Sequence, residues 1–467
     1  MKKTLLYVLA VVTIGSGCRK TYNDTIGGQT PDERIAAAMT AYQKKLSGSP
    51  YGWIMIEKTT GLAFNGGVSQ SGPAITLAYY MQFDDSNKVS MFSDFDPSML
   101  VTSKSSGYRV KQLTRPALIF DTYSYLHVPC DPDPNISKSP FGTGYGWGTD
   151  FEFSFADSTA AASLGDTIQL KGNLNGATAT LIKATQAQRD AYLTGGVSNA
   201  MKGLLNSILE YFKRLTFGGT NYELRFDAAN RAVTFSWLDG SGNIRSSTVG
   251  YYIDNTGMVF TAPFVNGQQK ITGFNNVSFD AGSSTLTVSI GGQSNSIKGA
   301  ITPLKTDLTA PQRWWQYGYD NGYSNNGLFF WASNNGFHSN GVEDAFGIRS
   351  NVDPEGTFVW YGYFCAFDPG YDAFIPVVVS SGGLSLNSVG TAPKVPPNFT
   401  SDGRLIFVRL GNLIPTGGSI PANSPVGKSN TALYNPSGYY FIQTGALSYD
   451  MVGAADAKTW ISWSPPQ

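Results

Sequence analysis

Short segments in which large apolar residues occupy every second position recur along this chain, and they constrain its fold more than any other feature. In residues 77–83 (LAYYMQF) every second side chain is large and apolar, and the turn-forming run 84–87 (DDSN) leads into a returning segment, Lys88–Ser93. A period of two places these side chains on one face of a strand. Roughly eight such segments, joined by short turns, occupy residues 53–183, among them 53–58, 117–128 and 178–183. They predict an antiparallel barrel or sandwich.

An amphipathic helix is predicted ahead of these strands. Thr30 can cap a helix, Pro31 suits its first position, and Glu33 completes a capping box. Apolar residues at 35, 39, 42 and 46 then share one helical face. A second helix, rich in apolar residues over 201–209, leads a second round of strands that runs to residue 301. The pattern therefore predicts two helix-plus-β units in series.

The two units match in the order of their features. In each, a strand that ends in Phe-Asp precedes a turn and a returning strand, and the two dipeptides are Phe83-Asp84 and Phe226-Asp227. A tandem duplication explains this match. The alternative is that any two meanders led by amphipathic helices look alike, and the sequence leaves both explanations open.

We predict a mainly β fold with two tandem antiparallel barrel- or sandwich-like domains, each led by an amphipathic helix, plus a C-terminal β-rich module. The predicted divisions are a signal peptide at 1–17, a lipidated tether at 18–29, a first helix-plus-β domain at 30–194, a second at 195–308, and the C-terminal module at 309–467. The module differs in composition because aromatic residues are interleaved there with Asn and Gly.

The first residues are typical of an export signal. Lys2 and Lys3 precede an apolar stretch of about ten residues, which is shorter than the roughly 20 needed to span a bilayer. Small residues at 15–17 then precede Cys18, as in a bacterial lipobox, although Gly15 stands where an aliphatic residue is usual. We expect acylation of Cys18 and attachment to the membrane through that lipid. The alternative is an ordinary secretory signal cleaved near Cys18.

Composition argues against nucleic acid as a partner. The formal net charge is zero and only 14% of residues are charged, whereas binding to phosphate needs a basic face. Aromatic residues make up 13% of the chain, and 53 Gly and 24 Pro agree with many short strands and turns. No cofactor motif is recognised, and we expect none.

Four segments resemble an uncharacterised family of Bacteroidetes lipoproteins, domain of unknown function 4302. They are LIFDTYSYLH at 118–127, DFEF at 150–153, DTIQLKG at 166–172 and GFHSNGVEDA at 336–345. The family has no established activity. Its members are often encoded beside TonB-dependent transporters with SusD-like partners and beside lipoproteins of the zinc metallopeptidase type. The resemblance implies nutrient capture or processing at the outer membrane, on its periplasmic or cell-surface side, and transfers no catalytic residue.

Metal and acid–base sites have little support in the sequence. His127 and His338 are the two histidines, so a three-His zinc site is excluded. Asp131-Pro132-Asp133 superficially suggests a calcium loop but lacks the glycine of an EF-hand, and a plain turn is favoured. Glu343 and Asp344 are adjacent and would point to opposite faces of a strand. Carboxylates that meet only in space remain open, and with them a glycan or peptide hydrolase.

Two aromatic regions are candidates for ligand recognition. Tyr145 and Trp147 lie in an alternating glycine run at 142–148, which predicts a mobile loop with exposed rings that can stack on a glycan or peptide. The alternative is that these rings fold back onto the barrel. The cluster from Trp314 to Trp331 is either a binding platform or the core of the third module, and its density favours the core.

The sequence favours a non-catalytic binding accessory of an outer-membrane uptake system. A hydrolase with dispersed carboxylates and a scaffold that docks onto a transporter remain alternatives. Cys130 and Cys365 could pair in an oxidising compartment, but they fall in different predicted units, so two unpaired thiols are favoured.

Overall fold

The computed structural model describes residues 30–156, 165–332, 337, 357–380, 383–386, 390–413, 422 and 425–465. Strands account for 47% of the structure and helices for 18%, in two closed eight-stranded barrels and a curled C-terminal sheet. The predicted fold class is therefore confirmed. Residues 1–29, with the signal peptide and Cys18, lie outside the described residues, as do His338, Glu343 and Asp344.

The leading helix, α1 (Pro31–Ser47), begins as the sequence predicts. The Glu33 amide donates to the Thr30 hydroxyl, and the Thr30 amide donates to the Glu33 carboxylate at 2.8 Å, which completes a capping box. Tyr42 and Leu46 are buried against the first barrel, whereas Ile35 is 41% exposed. Only the C-terminal half of the predicted apolar stripe is therefore buried.

The first barrel is an antiparallel meander closed by pairing of its first and last strands, with a separate two-stranded hairpin inserted after the first strand. Its inward-facing side chains fill the interior. Its ring order is β1, β4 to β10, and the hairpin is β2–β3. The strands are β1 (Trp53–Lys58), β2 (Leu62–Asn65), β3 (Val68–Ser71), β4 (Thr76–Phe83), β5 (Lys88–Ser93), β6 (Lys104–Gln112), β7 (Pro116–Phe120), β8 (Glu152–Phe155), β9 (Thr167–Gly172) and β10 (Thr178–Lys183).

The second barrel repeats this topology without an inserted hairpin. All eight of its strands are consecutive, and β11 closes onto β18. It is preceded by α3 (Gln186–Leu193) and α4 (Gly196–Asn206). Its strands are β11 (Phe212–Phe217), β12 (Thr220–Asp227), β13 (Ala232–Leu238), β14 (Ile244–Asp254), β15 (Gly257–Asn266), β16 (Gln269–Asp280), β17 (Thr285–Ile290) and β18 (Gln293–Ala300).

The Phe-Asp dipeptides noted in the sequence occupy matching places. Phe83 ends β4 and Phe226-Asp227 ends β12, and each of these strands is the second of its barrel's ring. Both barrels also have the same up-and-down strand order. The shared order and this matching position favour the tandem duplication over chance similarity of two meanders.

One predicted strand is wrong. The sequence suggested a strand over 117–128, but β7 ends at Phe120, and residues 121–151 form a long connection that covers one end of the first barrel. We call this connection the cap. It contains a 3₁₀ helix (Val128–Cys130) and a short helix, α2 (Pro134–Ser137). The apolar residues after 120 pack into the barrel end from the cap, so their burial did not require a strand.

The C-terminal module is an 11-stranded sheet that curls around a helix, α5 (Ala310–Asp320). The helices α6 (Tyr323–Asn326) and α7 (Pro425–Leu433) flank it. The strands are β19 (Phe330–Ala332), β20 (Thr357–Asp368), β21 (Tyr371–Ser380), β22 (Gly383–Leu386), β23 (Gly390–Pro393), β24 (Asn398–Phe399), β25 (Arg404–Ile406), β26 (Arg409–Leu413), β27 (Tyr439–Gln443), β28 (Tyr449–Gly453) and β29 (Trp460–Ser464).

A buried ion pair joins the two barrels. Arg231, in the turn after β12, donates to the Asp94 carboxylate, to the Asp94 carbonyl at 2.9 Å and to the Thr76 carbonyl at 2.9 Å. Asp94 also accepts from the Ile253 amide of the second barrel at 2.7 Å. The two side chains are 3% and 0% exposed. Breaking such a pair leaves an uncompensated buried charge, so it holds the barrels in one arrangement.

In the part of the chain that the structure describes, no helix has the length and hydropathy needed to cross a membrane.

Candidate functional site

A cavity of ligand size lies in the C-terminal module and measures about 640 Å³. Ligand pockets in proteins are typically about 300–1,000 Å³. Three pieces of chain form most of its lining: the C-terminal half of α7, the turn that follows that helix, and the turn between β28 and β29. Ala422 and the first residue of β27 complete it. Its lining residues are Ala422, Lys428, Thr431, Ala432, Tyr434, Asn435, Pro436, Tyr439, Ala455, Asp456 and Thr459.

Two tyrosines fix the wall of this pocket. The hydroxyl of Tyr439, which is 1% exposed, donates to the Ala432 carbonyl of α7, and the hydroxyl of Tyr434 bonds the Thr391 hydroxyl at 2.9 Å. Burial raises the pKa of both phenols above the usual value, so both stay neutral. The Tyr439 contact ties α7 to β27, and the pocket is therefore built on regular elements.

The chemistry of the lining is mixed. Lys428 and Asp456 contribute one positive and one negative charge, while Thr431, Asn435 and Thr459 contribute hydroxyl and amide groups. The remaining wall is aromatic or aliphatic. Such a surface can pair with the hydroxyl groups of a glycan or with the backbone of a peptide while covering an apolar face.

Trp147 does not lie where the sequence analysis expected. It is 1% exposed, belongs to the core of the first barrel, and donates from its indole to the Ser137 carbonyl at 2.8 Å. Gly148 has φ +70°, and a Cβ there would lie 2.0 Å from the Leu62 carbonyl oxygen. The glycines thus allow close packing of the cap rather than mobility. Tyr145 is half-buried nearby, and a ligand-binding role for these two residues stays a prediction.

The aromatic cluster from Trp314 to Trp331 is divided between core and surface. Trp314 is 1% exposed and stacks on Tyr363 with ring centroids 5.0 Å apart, as expected for a core residue. Trp331 is half-buried, and its indole donates to the Pro465 carbonyl at 3.1 Å. Tyr323 is 48% exposed. The cluster therefore contains both core rings and partly exposed rings.

His127 lies in the cap rather than on a strand. Its ring stacks between Tyr123 and Phe151, and its Nδ1 lies 3.2 Å from the Ser124 amide. Burial lowers the pKa of His127, so the ring is neutral near pH 7. The arrangement fits a structural histidine at the barrel rim.

The acidic run at 131–133 forms turns, as the sequence favoured. Asp131 accepts from the Asp133 amide at 2.9 Å, and Asp133 caps α2 through the Asn135 amide at 2.8 Å. Among the described residues, no group of three or more His, Cys, Asp or Glu could hold a metal ion. Cys130 and Cys365 are both free thiols, the first in the cap and the second in the C-terminal sheet.

Glu57 contacts Asp150 through the Asp150 backbone amide, and both residues are enclosed at the first barrel. Glu57 is 0% exposed and Asp150 is 1% exposed. Glu57 accepts from the Asp150 amide at 2.8 Å. A substrate would have to cross the barrel wall or displace the cap to reach them, so the pair gives no support to a hydrolase.

No pattern in the sequence predicted the pocket. The available signal was the Asn435-Pro436 dipeptide, which marks a turn, between two tyrosines. A second turn at 454–459 completes the wall, and the two turns are brought together only by the pairing of β27 with β28.

A family model described as "Domain of unknown function (DUF4302)" matches residues 23–278. A sequence comparison with curated proteins gives no match. Three solved structures overlap the chain weakly. Immune modulator A from Aeromonas veronii is 8% identical over 88% of this chain and 93% of its own, with a TM-score of 0.18.

The other two are β subunits of DNA polymerase III. The one from Thermotoga maritima is 7% identical over 93% of this chain and 97% of its own, with a TM-score of 0.16. The sliding clamp from Bartonella birtlesii is 9% identical over 93% and 97%, with a TM-score of 0.15. TM-scores this low carry no argument about fold or function.

Proposed function

This chain belongs to the family of domain of unknown function 4302, and on that premise we propose that it is a lipid-anchored binding protein of the cell envelope. It captures a glycan or peptide without transforming it and serves an outer-membrane uptake system made of a TonB-dependent transporter and a SusD-like partner. The observation that carries this proposal is the pocket of about 640 Å³ in the C-terminal module.

The contrast between the pocket and the barrels supports a surface site. An eight-stranded barrel is just wide enough either to be filled by side chains or to hold one small ligand. The interiors of both barrels here are filled, with residues such as Tyr79 and Phe153 in the first and Phe235 and Phe264 in the second. The barrels therefore serve as a support, and the pocket offers the space for a ligand.

The location of the pocket supports a ligand specific to this chain. The family match ends at residue 278, and the pocket is built from residues beyond 420. Acylation of Cys18 would place the two barrels next to the membrane and the C-terminal module at the far end of the chain. A transporter partner could then receive ligand from that module.

The test is binding by the full mature chain in detergent against a panel of glycans and peptides. A bulky side chain at Thr431, which is exposed at the pocket, should fill the cavity without disturbing the fold. We expect Thr431→Trp to weaken binding by about tenfold or more, because a displaced contact of about 1.4 kcal/mol changes affinity tenfold. Thr261→Trp, at an exposed position of the second barrel, is the matched control.

Other outcomes of this test would favour one of the two alternative functions. Turnover of a panel member would support the hydrolase instead. Binding of no panel member, combined with co-purification of the transporter, would support the scaffold. Mass spectrometry of the membrane fraction tests the anchor separately, and an unmodified soluble chain would refute acylation at Cys18.

A further inference from the structure

The first barrel encloses one carboxyl group in an otherwise apolar interior. Glu57 lies on β1, on the same inward face as Trp53 and Met55, and is 0% exposed. Its Oε1 accepts from the Asp150 amide at 2.8 Å, and its Oε2 has no hydrogen-bond partner among the described residues. A carboxylate with an unsatisfied oxygen in such a place is strongly disfavoured relative to the neutral acid.

None of the titratable groups that face Glu57 carries a positive charge, so the carboxyl group has no counter-ion. Tyr79 on β4 faces it with a neutral phenol, Cys130 of the cap with a neutral thiol, and Asp150 with a carboxyl group. Burial is the largest cause that raises the pKa of Glu57 well above its usual value; the Asp150 amide and the Tyr79 hydroxyl oppose this rise, and the Asp150 charge adds to it. The Arg231 guanidinium is within electrostatic reach of Tyr79.

The contact between Glu57 and Asp150 joins the barrel wall to the cap. Asp150 is near the end of the cap, and its carboxylate accepts from the amides of Leu174, Asn175 and Ala177 at 2.7–3.0 Å. Thr149, its neighbour, bonds the Cys130 thiol at 2.9 Å. The base of the cap is therefore fixed on one side to the β9–β10 turn and on the other to Glu57.

The cap also contributes to the core that it covers. Leu126 and Trp147 are 0% and 1% exposed within the core of the first barrel. The Trp147 amide donates to the Pro129 carbonyl at 2.7 Å, so the two halves of the cap hold one another. Release of the cap would open the end of the barrel and admit water to Glu57.

We propose that the proton on Glu57 holds the cap closed, and that losing this proton releases the cap from the barrel end. In the closed state a Glu57 carboxylate would lie beside Asp150 without solvation. In the open state water solvates the carboxylate, and the pKa of Glu57 returns to that of an ordinary carboxyl group. This device is independent of the pocket in the C-terminal module, so either proposal can fail without the other.

The direction of the pH dependence of cap opening follows from the difference in proton binding between the two states. The closed state binds the Glu57 proton more tightly than the open state, so opening becomes more favourable as pH rises. The equilibrium constant for opening of the cap begins to rise above the usual carboxyl pKa of about 4.3. It increases by up to about tenfold per pH unit and levels off at the closed-state pKa of Glu57. The stability of the closed cap is therefore fully present at acidic pH.

Hydrogen–deuterium exchange of the full mature chain in detergent tests the device. Protection factors corrected for intrinsic exchange are compared at pH 5, 6 and 7 for cap peptides (121–151) and for second-barrel peptides (212–300). We expect cap protection to fall by about tenfold or more over this range in the wild type, and to stay constant within about twofold in Glu57→Gln. Glutamine keeps the shape of the neutral acid, so this variant should fold.

Glu152→Gln is the matched control, because Glu152 is a partly exposed carboxylate two residues from Asp150. In this variant cap protection should fall with pH as steeply as in the wild type. The proposal is overturned if Glu57→Gln shows the same fall as the wild type, if the wild type shows no fall, or if second-barrel peptides lose protection in parallel. Asp150 and His127 also titrate in acid, but both are intact in Glu57→Gln, so a slope due to them would persist there.

Discussion

The two barrels share one topology and differ in how one end is closed. Between its fifth and sixth strands the first barrel carries the cap, residues 121–151, whereas the second has only the turn 267–268 at the same place. The first also encloses Glu57, while the second has Lys213 buried on β11 at 3% exposure. The comparison shows that a repeated strand order tolerates different polar groups, because the strand pairing that defines the barrel uses backbone atoms.

These two groups give the barrels opposite pH dependence. A buried acid with a raised pKa destabilises its barrel as pH rises, and a buried base with a lowered pKa stabilises its barrel as pH rises. The two effects also occupy different windows, the first beginning near pH 5 and the second near pH 7, the folded-state pKa of Lys213.

The largest expected effect is the loss of the ion pair that couples the barrels. Arg231→Ala leaves Asp94 buried without a counter-ion, and it should cost about 3–5 kcal/mol in the free energy of unfolding. Urea denaturation checks this value, and we also expect the barrels to unfold in separate transitions. Arg109→Ala removes an ion pair with Asp121 that is 52% exposed on the arginine side, and it should cost about 0–1 kcal/mol. Equal losses would contradict the coupling role.

Replacing the cap's core residue tests whether the cap is part of the first barrel. Trp147→Ala should lower the stability of that barrel by about 3–5 kcal/mol, because it leaves a large cavity. The half-buried Trp331 loses less contact on truncation, and Trp331→Ala should cost about 1–2 kcal/mol. Melting temperatures of both variants check the order. An unchanged melting temperature for Trp147→Ala would restore the exposed-loop interpretation.

The pH slope of the second barrel can be isolated at Lys213. Burial lowers its pKa to about 7 in the folded state, so between pH 7 and 10.5 the unfolded chain binds more protons and stability rises with pH. The slope should approach about 1.4 kcal/mol per pH unit and vanish in Lys213→Met. Guanidinium denaturation at pH 7 and pH 9 measures it. Lys270→Met, at an exposed position, should leave the slope intact.

The smallest effect concerns the helices ahead of the barrels. Thr30 caps α1 and Thr185 caps α3, each in a capping box that is completed by a residue three positions later. Thr30→Ala and Thr185→Ala should each cost about 1 kcal/mol, measured by thermal unfolding. Thr40→Ala, inside α1, should be neutral or slightly stabilising because alanine is the better helix former. A loss at Thr40 equal to that at Thr30 would argue against capping as the cause.

Local patterns predicted much of the fold. The bounds of β1, β5 and β10 agree with the predicted segments 53–58, 88–93 and 178–183, since each has the period of a strand and is bounded by turn residues. The hairpin β2–β3 was missed because all of β3 is exposed and carries no apolar alternation. The strand predicted over 117–128 failed because the apolar residues after 120 are buried by the cap rather than by a ladder.

The pocket in the C-terminal module could not be predicted from local sequence patterns. Its walls come from residues 428–439 and 455–459, and no spacing in the sequence reports that two turns will face one another across a sheet. Glu57 likewise read as an ordinary residue of a strand. Its burial depends on which face of β1 points inward, and its isolation depends on a cap whose contact with it is formed 93 residues later along the chain.

The sequence alone determined where α1 begins, the segments that form β1, β5 and β10, and that the two barrel units share one order, because capping and side-chain periodicity act between residues a few positions apart. The tertiary structure decided that Trp147 is core, that Glu57 is enclosed, and that a pocket opens beneath α7. Those outcomes depend on which surfaces come into contact when the barrels close and the C-terminal sheet curls. The burial of a side chain is set by these tertiary contacts and not by its neighbours in the sequence.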